Sequence, residues 1–553
     1  ASRSDSDDGA DFIRNATHII LDEIHERAAD SDLLLAALRR TVAAQHRIAK
    51  ARKLSLILMS ATLDAQLFQK YLDAAVKGSD KGDFATPLVT ISGRAHPVQN
   101  YFLEDVVAAT GYVAAACGGG DRDVGRRDEG TESVRTVRRD DKTDAERLVD
   151  RAVDRYKAEE DDNGWNIHKL DYDLVVAAIE AVVEGCFPGP PSEASWEDQE
   201  DADDGAVLVF LPGVGEIRRL ADRVVASRRL AHCLCVVLHA NAPREDQKAA
   251  FARVPHGYQR KIVLATNVAE SSVTIPDVTC VVDCGSVKEV RHHRHGSEKL
   301  FSACPTLETA WCSRASARQR AGRAGRVRPG VAVRLYTQDH FLTRLPQHQE
   351  PELQRVPLEE LILSTKATCD EAKKNRDSEF FSCSSEWLQD CAQPPPKHAL
   401  SAALSELVSV GALTYVDEEE QGWGAIEQAL AAGSDEKLVL APLGRHLARL
   451  PVHPRLGKIL VYGTLLGCVG PVASVAAAVG SGGRPDAIWA PDPARSQREE
   501  RKKLCPPRAD LVAAGRALDA WRTARGGGRQ LLAKKLGLHE PALRDALEAR
   551  DHF

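Results

Sequence analysis

The sequence predicts an α/β protein with two blocks of parallel strands flanked by helices, followed by a mostly helical C-terminal part. Three observations carry that expectation. Short apolar runs alternate with helical periodicity as far as Pro346. Several of those runs end in polar or acidic residues, and in open parallel sheets chemistry collects at the carboxyl ends of the strands. Beyond Pro346 the strand pattern fades, with breaks at Pro394 to Pro396, Pro442 and Pro454.

In chain order, Thr17 to Leu21 reads as a buried strand, Ala29 to Ala51 as a long amphipathic helix, and Leu54 to Met59 as a second strand. Strand, helix, strand is a parallel βαβ unit. Residues 113–163 open on Gly118, Gly119 and Gly120 and continue as a dense mixture of Arg, Asp and Glu with few apolar anchors. That composition predicts a disordered or loosely helical insertion. After the acidic stretch 192–204, the runs VLVFL (207–211), CVVLH (235–239), KIVLAT (261–266), TCVVDCG (279–285) and VAVRLYT (331–337) predict a second doubly wound sheet.

Composition narrows the function classes. The chain has 553 residues, room for several domains, and it contains no apolar run of membrane-spanning length. The first residues have neither a basic nor an apolar segment of a secretory leader, which points to an intracellular protein, cytoplasmic or nuclear. Thirteen cysteines occur without a C-x-x-C pair and read as free thiols. The net charge of -7 is concentrated in two places: seven acids lie in 192–204, and four acids face only Arg3 in 1–11. The remainder is near +3, so a polyanionic partner is not excluded.

The chemistry starts from HIILDEIHER, residues 18–27. A carboxylate pair at the end of a buried strand can hold a hydrated magnesium ion through Asp22, while Glu23 orients and deprotonates a water for attack on a phosphoryl group. An isolated acidic pair is more often a capped strand end; its company decides. That company is QRAGRAGRVRPG, residues 319–330. If it is helical, Gln319, Arg323 and Arg326 fall at i, i+4 and i+7 on one face, which suits a phosphate better than a plain solvated basic helix. Gly322 and Gly325 would let a ligand or another backbone come close.

These segments resemble the DEAH/RHA group of superfamily 2 RNA helicases: DEIH (22–25), SAT (60–62), ATNVAESSVTIPD (265–277) and QRAGRAGR (319–326) follow that family's motif order. The resemblance implies two RecA-like domains, the first partial, then winged-helix and ratchet domains suggested by PELQRVPLEELIL (351–363) and LAPLGRHLARLPVHPRLGKIL (440–460). It implies ATP and magnesium as cofactors, with Asp22 on the metal and Glu23, Gln319, Arg323 and Arg326 catalytic. By the same resemblance His25, Ser60 and Thr62 couple hydrolysis to domain movement, Phe251 stacks on the base and Asp277 contacts the ribose. Thr266 and Asn267 would hold the RNA backbone. Lys288 and Arg291 lie where the family extends a β-hairpin used in strand separation.

The implied activity is RNA unwinding coupled to 3′-to-5′ movement, with RNA as partner, DNA as a possible additional substrate and a possible accessory protein activator. The expected boundaries are 1–112, an insertion at 113–163, 164–342, 343–440 and 441–553. HPVQNYFLEDV (96–106) and LDYDLVVAAIE (170–180) are most similar to the RHA-like and G-quadruplex-resolving branch. Three features depart from the pattern. No G-x-x-x-x-G-K-[ST] loop occurs, so the sequence is read as a fragment lacking that phosphate loop, and also the oligonucleotide-binding fold that follows the ratchet. Ala240 stands where the family usually has a serine near RNA. RHHRH (291–295) could suggest a metal through His292, His293 and His295, but a basic strand near RNA is the better reading. The rival reading is a non-catalytic RNA-binding scaffold that has lost ATP hydrolysis.

Overall fold

The computed structural model describes residues 16–47, 54–61, 64–76, 86–91, 93, 96–112, 170–190, 205–239, 242, 244–270, 274–291, 306–374, 381–415, 435–450, 452–480, 488–489, 495–504 and 509–553. The insertion at 113–163, the acidic stretch 192–204, Thr62, Ala240 and the three histidines at 292, 293 and 295 lie outside these residues.

The first block is small. Strand β1 (His18–Leu21) pairs in parallel with β2 (Ser55–Leu58), His18 opposite Ser55 and Leu21 opposite Leu58. Helix α1 (Ala29–Arg47) makes the crossover, as the βαβ pattern requires, and α2 (Ala65–Val76) follows β2. Ile24, Leu35 and Phe68 form a modest core beneath the pair. Ile20 and Ile57 remain exposed on it.

The second block is a six-stranded sheet, every neighbouring pair parallel, in the order β3-β10-β7-β4-β6-β5. Its strands are β3 (Val98–Tyr101), β4 (Ala206–Phe210), β5 (Cys233–Leu238), β6 (Arg260–Ala265), β7 (Val278–Asp283) and β10 (Gly330–Arg334). Five of the six agree with the sequence expectation to within three residues at either end. The two-residue period of the strands splits the core. Val207, Val209, Ile262, Leu264 and Val282 face one side with α3 (Leu103–Thr110), α4 (Tyr172–Val183) and α5 (Val214–Ala226). Leu208, Phe210, Val263, Ala265 and Val281 face the other with Ala250 of α6 (Arg244–Phe251).

One boundary moves. Residues 96–112 were expected in the first block, yet β3 pairs with β10, and Leu103, Val106 and Val107 of α3 are buried in the second core. The reason is that β10 would otherwise be a bare edge; Gly330 donates its amide to the Pro97 carbonyl and His96 donates to that of Gly325.

From the end of β7 the chain enters an antiparallel pair, β8 (Ser286–Arg291) with β9 (Thr306–Trp311). Helix α7 (Arg314–Gly322) follows, with Ser313 as its N-cap, its hydroxyl accepting from the Ser316 amide. Past 350, helices 359–374, 384–389 and 397–410 pack with a short antiparallel pair, β11 (Leu413–Tyr415) and β12 (Leu438–Leu440). Their core includes Leu404, Leu440 and Leu447, so it continues past the division expected at 440. It also takes in Ala29, Leu33 and Ala36 of α1. Helices from 469 to 552 form another core around Leu518, Trp521 and Leu543.

Candidate nucleotide and nucleic-acid site

The acidic loop and the arginine-bearing segment come together. After β1 the chain passes through a single 3-10 turn, Ile24–Glu26, flanked by Glu23 at φ 52° and Arg27 at φ 53°. Left-handed backbone costs a non-glycine residue roughly 1–2 kcal/mol, so tertiary contacts must hold both residues there. The Met59 carbonyl accepts the Ile24 amide at 3.3 Å, and the Met59 amide reaches Leu21 at 2.8 Å, which sets the acidic loop beside the start of SAT. Asp22 is exposed, Ser60 half-buried.

His25 bridges the two blocks. Its Nδ1 lies 3.4 Å from a Glu23 carboxylate oxygen and its Nε2 lies 3.2 Å from Gln319 Oε1. The sequence placed these residues 294 positions apart in one site, and the structure brings them into contact.

Gln319, Arg323 and Arg326 do not share one helical face as expected. Helix α7 ends at Gly322, and the amides of Arg323, Ala324 and Gly325 bond three residues back, to Arg320, Ala321 and Gly322. The helix tightens because Gly325 must pass under β3: a Cβ there would lie 2.6 Å from the His96 carbonyl oxygen. At Gly322, by contrast, a Cβ would meet nothing within 4 Å. Arg323 is buried, and burial, then the neighbouring Arg326, lowers its guanidinium to about 10 against the pull of Glu270 and Glu23. Arg326 is exposed and donates to the Thr274 hydroxyl. Two crowded guanidinium groups opposite Glu23 fit an anionic ligand, whose charge would relieve their repulsion. Exposed Asp22 at the strand end fits a hydrated divalent ion riding on such a ligand. Among the described residues no three His, Cys, Asp or Glu side chains are grouped to hold a metal by themselves.

Phe251 and Asp277 are joined through a residue that sequence reasoning passed over. Lys261, fully buried on β6, sets its ammonium 3.0 Å from Asp277 Oδ2 and donates to the carbonyls of Ala250 and Ala252 at 2.9 and 2.8 Å. Phe251 is therefore held at the end of α6 and is 41% exposed, which is not how a core phenylalanine sits. Asp277 Oδ1 is buried, with no hydrogen-bond partner among the described residues.

Thr266 and Asn267 follow β6 directly; Asn267 opens a 3-10 turn and is exposed. Lys288 and Arg291, expected as RNA contacts, are both ion-paired: Lys288 lies 2.8 Å from Glu216, and Arg291 lies 3.3 Å from Glu289 and 3.7 Å from Glu350. Both side chains remain partly exposed beside these carboxylates. Also overlooked were Glu270, Asp283 and Arg320. Arg320 lies inside QRAGRAGR, but only the burial of the strand ending in Asp283 reveals that its charge points inward.

A parallel six-stranded sheet whose strand-end loops face a carboxylate loop on a second α/β block, with arginines at the seam, is the architecture of a RecA-like helicase domain. The helicase conserved C-terminal domain family matches residues 194–328. The Arabidopsis thaliana DExH-box ATP-dependent RNA helicase DExH4, chloroplastic, is 34% identical over 85% of this chain and 29% of its own length. DExH-box ATP-dependent RNA helicase DExH1 of the same plant is 33% identical over 94% of this chain and 45% of its own length. The human ATP-dependent RNA helicase DHX29 is 32% identical over 84% and 30%. The chain belongs to the DExH/DEAH-box helicase family and spans less than half the length of these relatives. None of its described helices is long and apolar enough to cross a membrane.

Proposed function

We propose that this chain forms the greater part of an ATP-driven RNA helicase motor that moves 3′-to-5′ on single-stranded nucleic acid. The contact running Glu23, His25, Gln319 carries the reading, because it makes the acidic loop sensitive to where the second sheet sits. In this reading bound magnesium supplies charge neutralisation at the transferred phosphoryl group. Glu23 orients and deprotonates the attacking water, Gln319 helps place it, and Arg323 and Arg326 meet charge that grows during transfer. Phe251 gives the base a stacking face, while Asp277 holds Lys261 and is placed near the ribose. Ser60 and Thr62 report the state of the acidic loop, and Thr266 and Asn267 grip the RNA backbone. Residues 343–440 serve as the winged-helix domain and 441–553 as the ratchet, with the core shared by Leu440 and Leu447 joining them.

The rival reading is a non-catalytic RNA-binding scaffold that has lost ATP hydrolysis. Steady-state ATP hydrolysis decides between them. The chain alone is expected to bind single-stranded RNA without ATP turnover. Preceded by the phosphate-loop segment of a relative, it should hydrolyse ATP in an RNA-stimulated manner, and Glu23→Gln should abolish this. Failure of RNA to stimulate that fusion, or indifference to Glu23→Gln, would leave the scaffold.

A further inference from the structure

The second block contains a buried ionic junction that the proposed chemistry leaves unused. Arg320 is 1% exposed. Its Nε donates to Glu270 Oε2 at 2.9 Å and its Nη1 to Asp283 Oδ1 at 2.9 Å, with the guanidinium 5.0 Å from the centre of the Phe210 ring. Asp283 is shared further. Its Oδ1 accepts the Gly285 amide at 2.9 Å and its Oδ2 accepts the Tyr336 hydroxyl at 3.0 Å. Gly285, at φ 74°, is where the chain turns into β8, and its carbonyl accepts the Cys312 amide at 2.8 Å just beyond β9.

On the other side, Glu270 is the C-cap of the turn Asn267–Ala269, its amide bonded to the Asn267 carbonyl at 2.9 Å. Its carboxylate therefore fastens that turn to α7, the helix carrying Gln319 and leading into Arg323. Three separate pieces thus meet on one guanidinium: the turn after β6, the base of the β8–β9 pair and the arginine segment. Buried ion clusters of this kind can often be replaced by apolar side chains at no loss of stability, so stability alone does not account for one. What such a cluster does is fix register between the elements it joins.

We propose that the Glu270–Arg320 ion pair is a positioning pair, which makes the grip of Thr266 and Asn267 on single-stranded RNA depend on how α7 is seated, and so on Gln319 and Arg323. This rests on the reading of Thr266 and Asn267 as RNA contacts. Coupling of this sort is reciprocal, so RNA held at the turn also biases α7.

The test uses the chain itself and a fluorescein-labelled uridine oligonucleotide, with affinity read by anisotropy. Asn267→Ala is expected to weaken binding about five- to tenfold, the loss of one or two ordinary hydrogen bonds. Glu270→Gln should weaken it by a similar factor. The sign discriminates, because Glu270→Gln removes a negative charge near RNA and long-range electrostatics alone would tighten binding. Combining the two substitutions should cost less than the sum of their separate effects, since both act on the same turn. Arg320→Lys keeps the buried charge but cannot serve two carboxylates at once, and should reproduce the loss. Unchanged or tighter binding by Glu270→Gln, with Asn267→Ala weakened, would overturn the positioning pair while leaving the RNA contact intact. No effect of Asn267→Ala would remove the RNA contact itself.

Discussion

Among the described residues the two α/β blocks differ in how far their strands are covered. In the six-stranded sheet, β4, β6 and β10 are buried along their whole length, with helices over both faces. The β1–β2 pair leaves Ile20 at 56% and Ile57 at 40% exposure. Parallel sheets are stable when both faces are covered; among the described residues the six-stranded sheet has that cover, and the β1–β2 pair is packed in part against its neighbours. It leans chiefly on the helices after 350. Arg27 pairs with Asp32 at 3.0 Å and also donates to Gln393. The Ala29 amide reaches Glu352 at 2.8 Å, Arg39 pairs with Asp390 at 2.8 Å, and Trp387 Nε1 reaches the Leu33 carbonyl at 2.9 Å. The carboxylates proposed for hydrolysis sit on the first block and the arginines proposed to answer them on the second, at the seam between the two.

Chemistry at that seam gives the largest expected effect. With a phosphate-loop segment of a relative supplied before residue 1, Arg326→Ala should lower kcat by about 10³ to 10⁵, as arginine fingers do, while KM for ATP changes modestly. Arg326→Lys should not restore it, because a point charge lacks the planar fork. Retention of more than about a tenth of the rate would return Arg326 to an ordinary surface role.

Packing contrasts come next. Phe210→Ala in the full sheet should cost about 4 kcal/mol in denaturant unfolding, the usual cavity cost. Ile57→Ala on the open pair should cost under about 1 kcal/mol, since its side chain is already partly hydrated. Equal losses at the two positions would mean that the small sheet is as tightly built as the large one.

Arg27→Ala should destabilise by about 3 kcal/mol, because it strands a buried carboxylate. Burial already pushes the Asp32 carboxyl up despite Arg27. The signature should be local: hydrogen exchange rises in 18–27 and 29–47, while the six-stranded sheet keeps its protection. Uniform loss across both blocks would contradict the division.

The smallest effect is a pH dependence in the helical region on which the first block leans. Burial alone would raise the Asp435 carboxyl, but the Lys366 ammonium and the Ser385 amide and hydroxyl outweigh it and hold it at about 2. A depressed carboxyl stabilises the fold above its unfolded value near 3.8 and loses that contribution as pH falls toward 2. Asp435→Asn should therefore cost about 2 kcal/mol at pH 7 and progressively less below pH 4, read from paired melts.

Periodicity exposed the strands well, because a buried parallel strand is an uninterrupted apolar run and the turn residues bound it. It could not assign β3, since VQNY (98–101) is an edge strand with Gln99 and Asn100 exposed and reads as loop. Motif order brought Glu23, His25 and Gln319 to one place, but spacing put Arg326 on a helix that ends four residues earlier, at Gly322. The cause is a backbone approach at Gly325 that local sequence does not announce. Sequence also did not announce the carboxylates facing Lys288 and Arg291, since Glu216 and Glu350 come from distant segments. Lys261 and Arg320 were hidden for a related reason: a basic residue within an apolar or small-residue run looks solvent-facing until its carboxylate is found.

The placement of β3 has a practical consequence. A polypeptide cut once between 112 and 170 should not come apart, since its N-terminal piece keeps β3 paired with β10 and keeps Leu103, Val106 and Val107 in the second core. The two pieces, expressed separately with the split in that interval, should reassemble by strand complementation. Fluorescent reporters carried on the new ends would then light only when both halves have found each other.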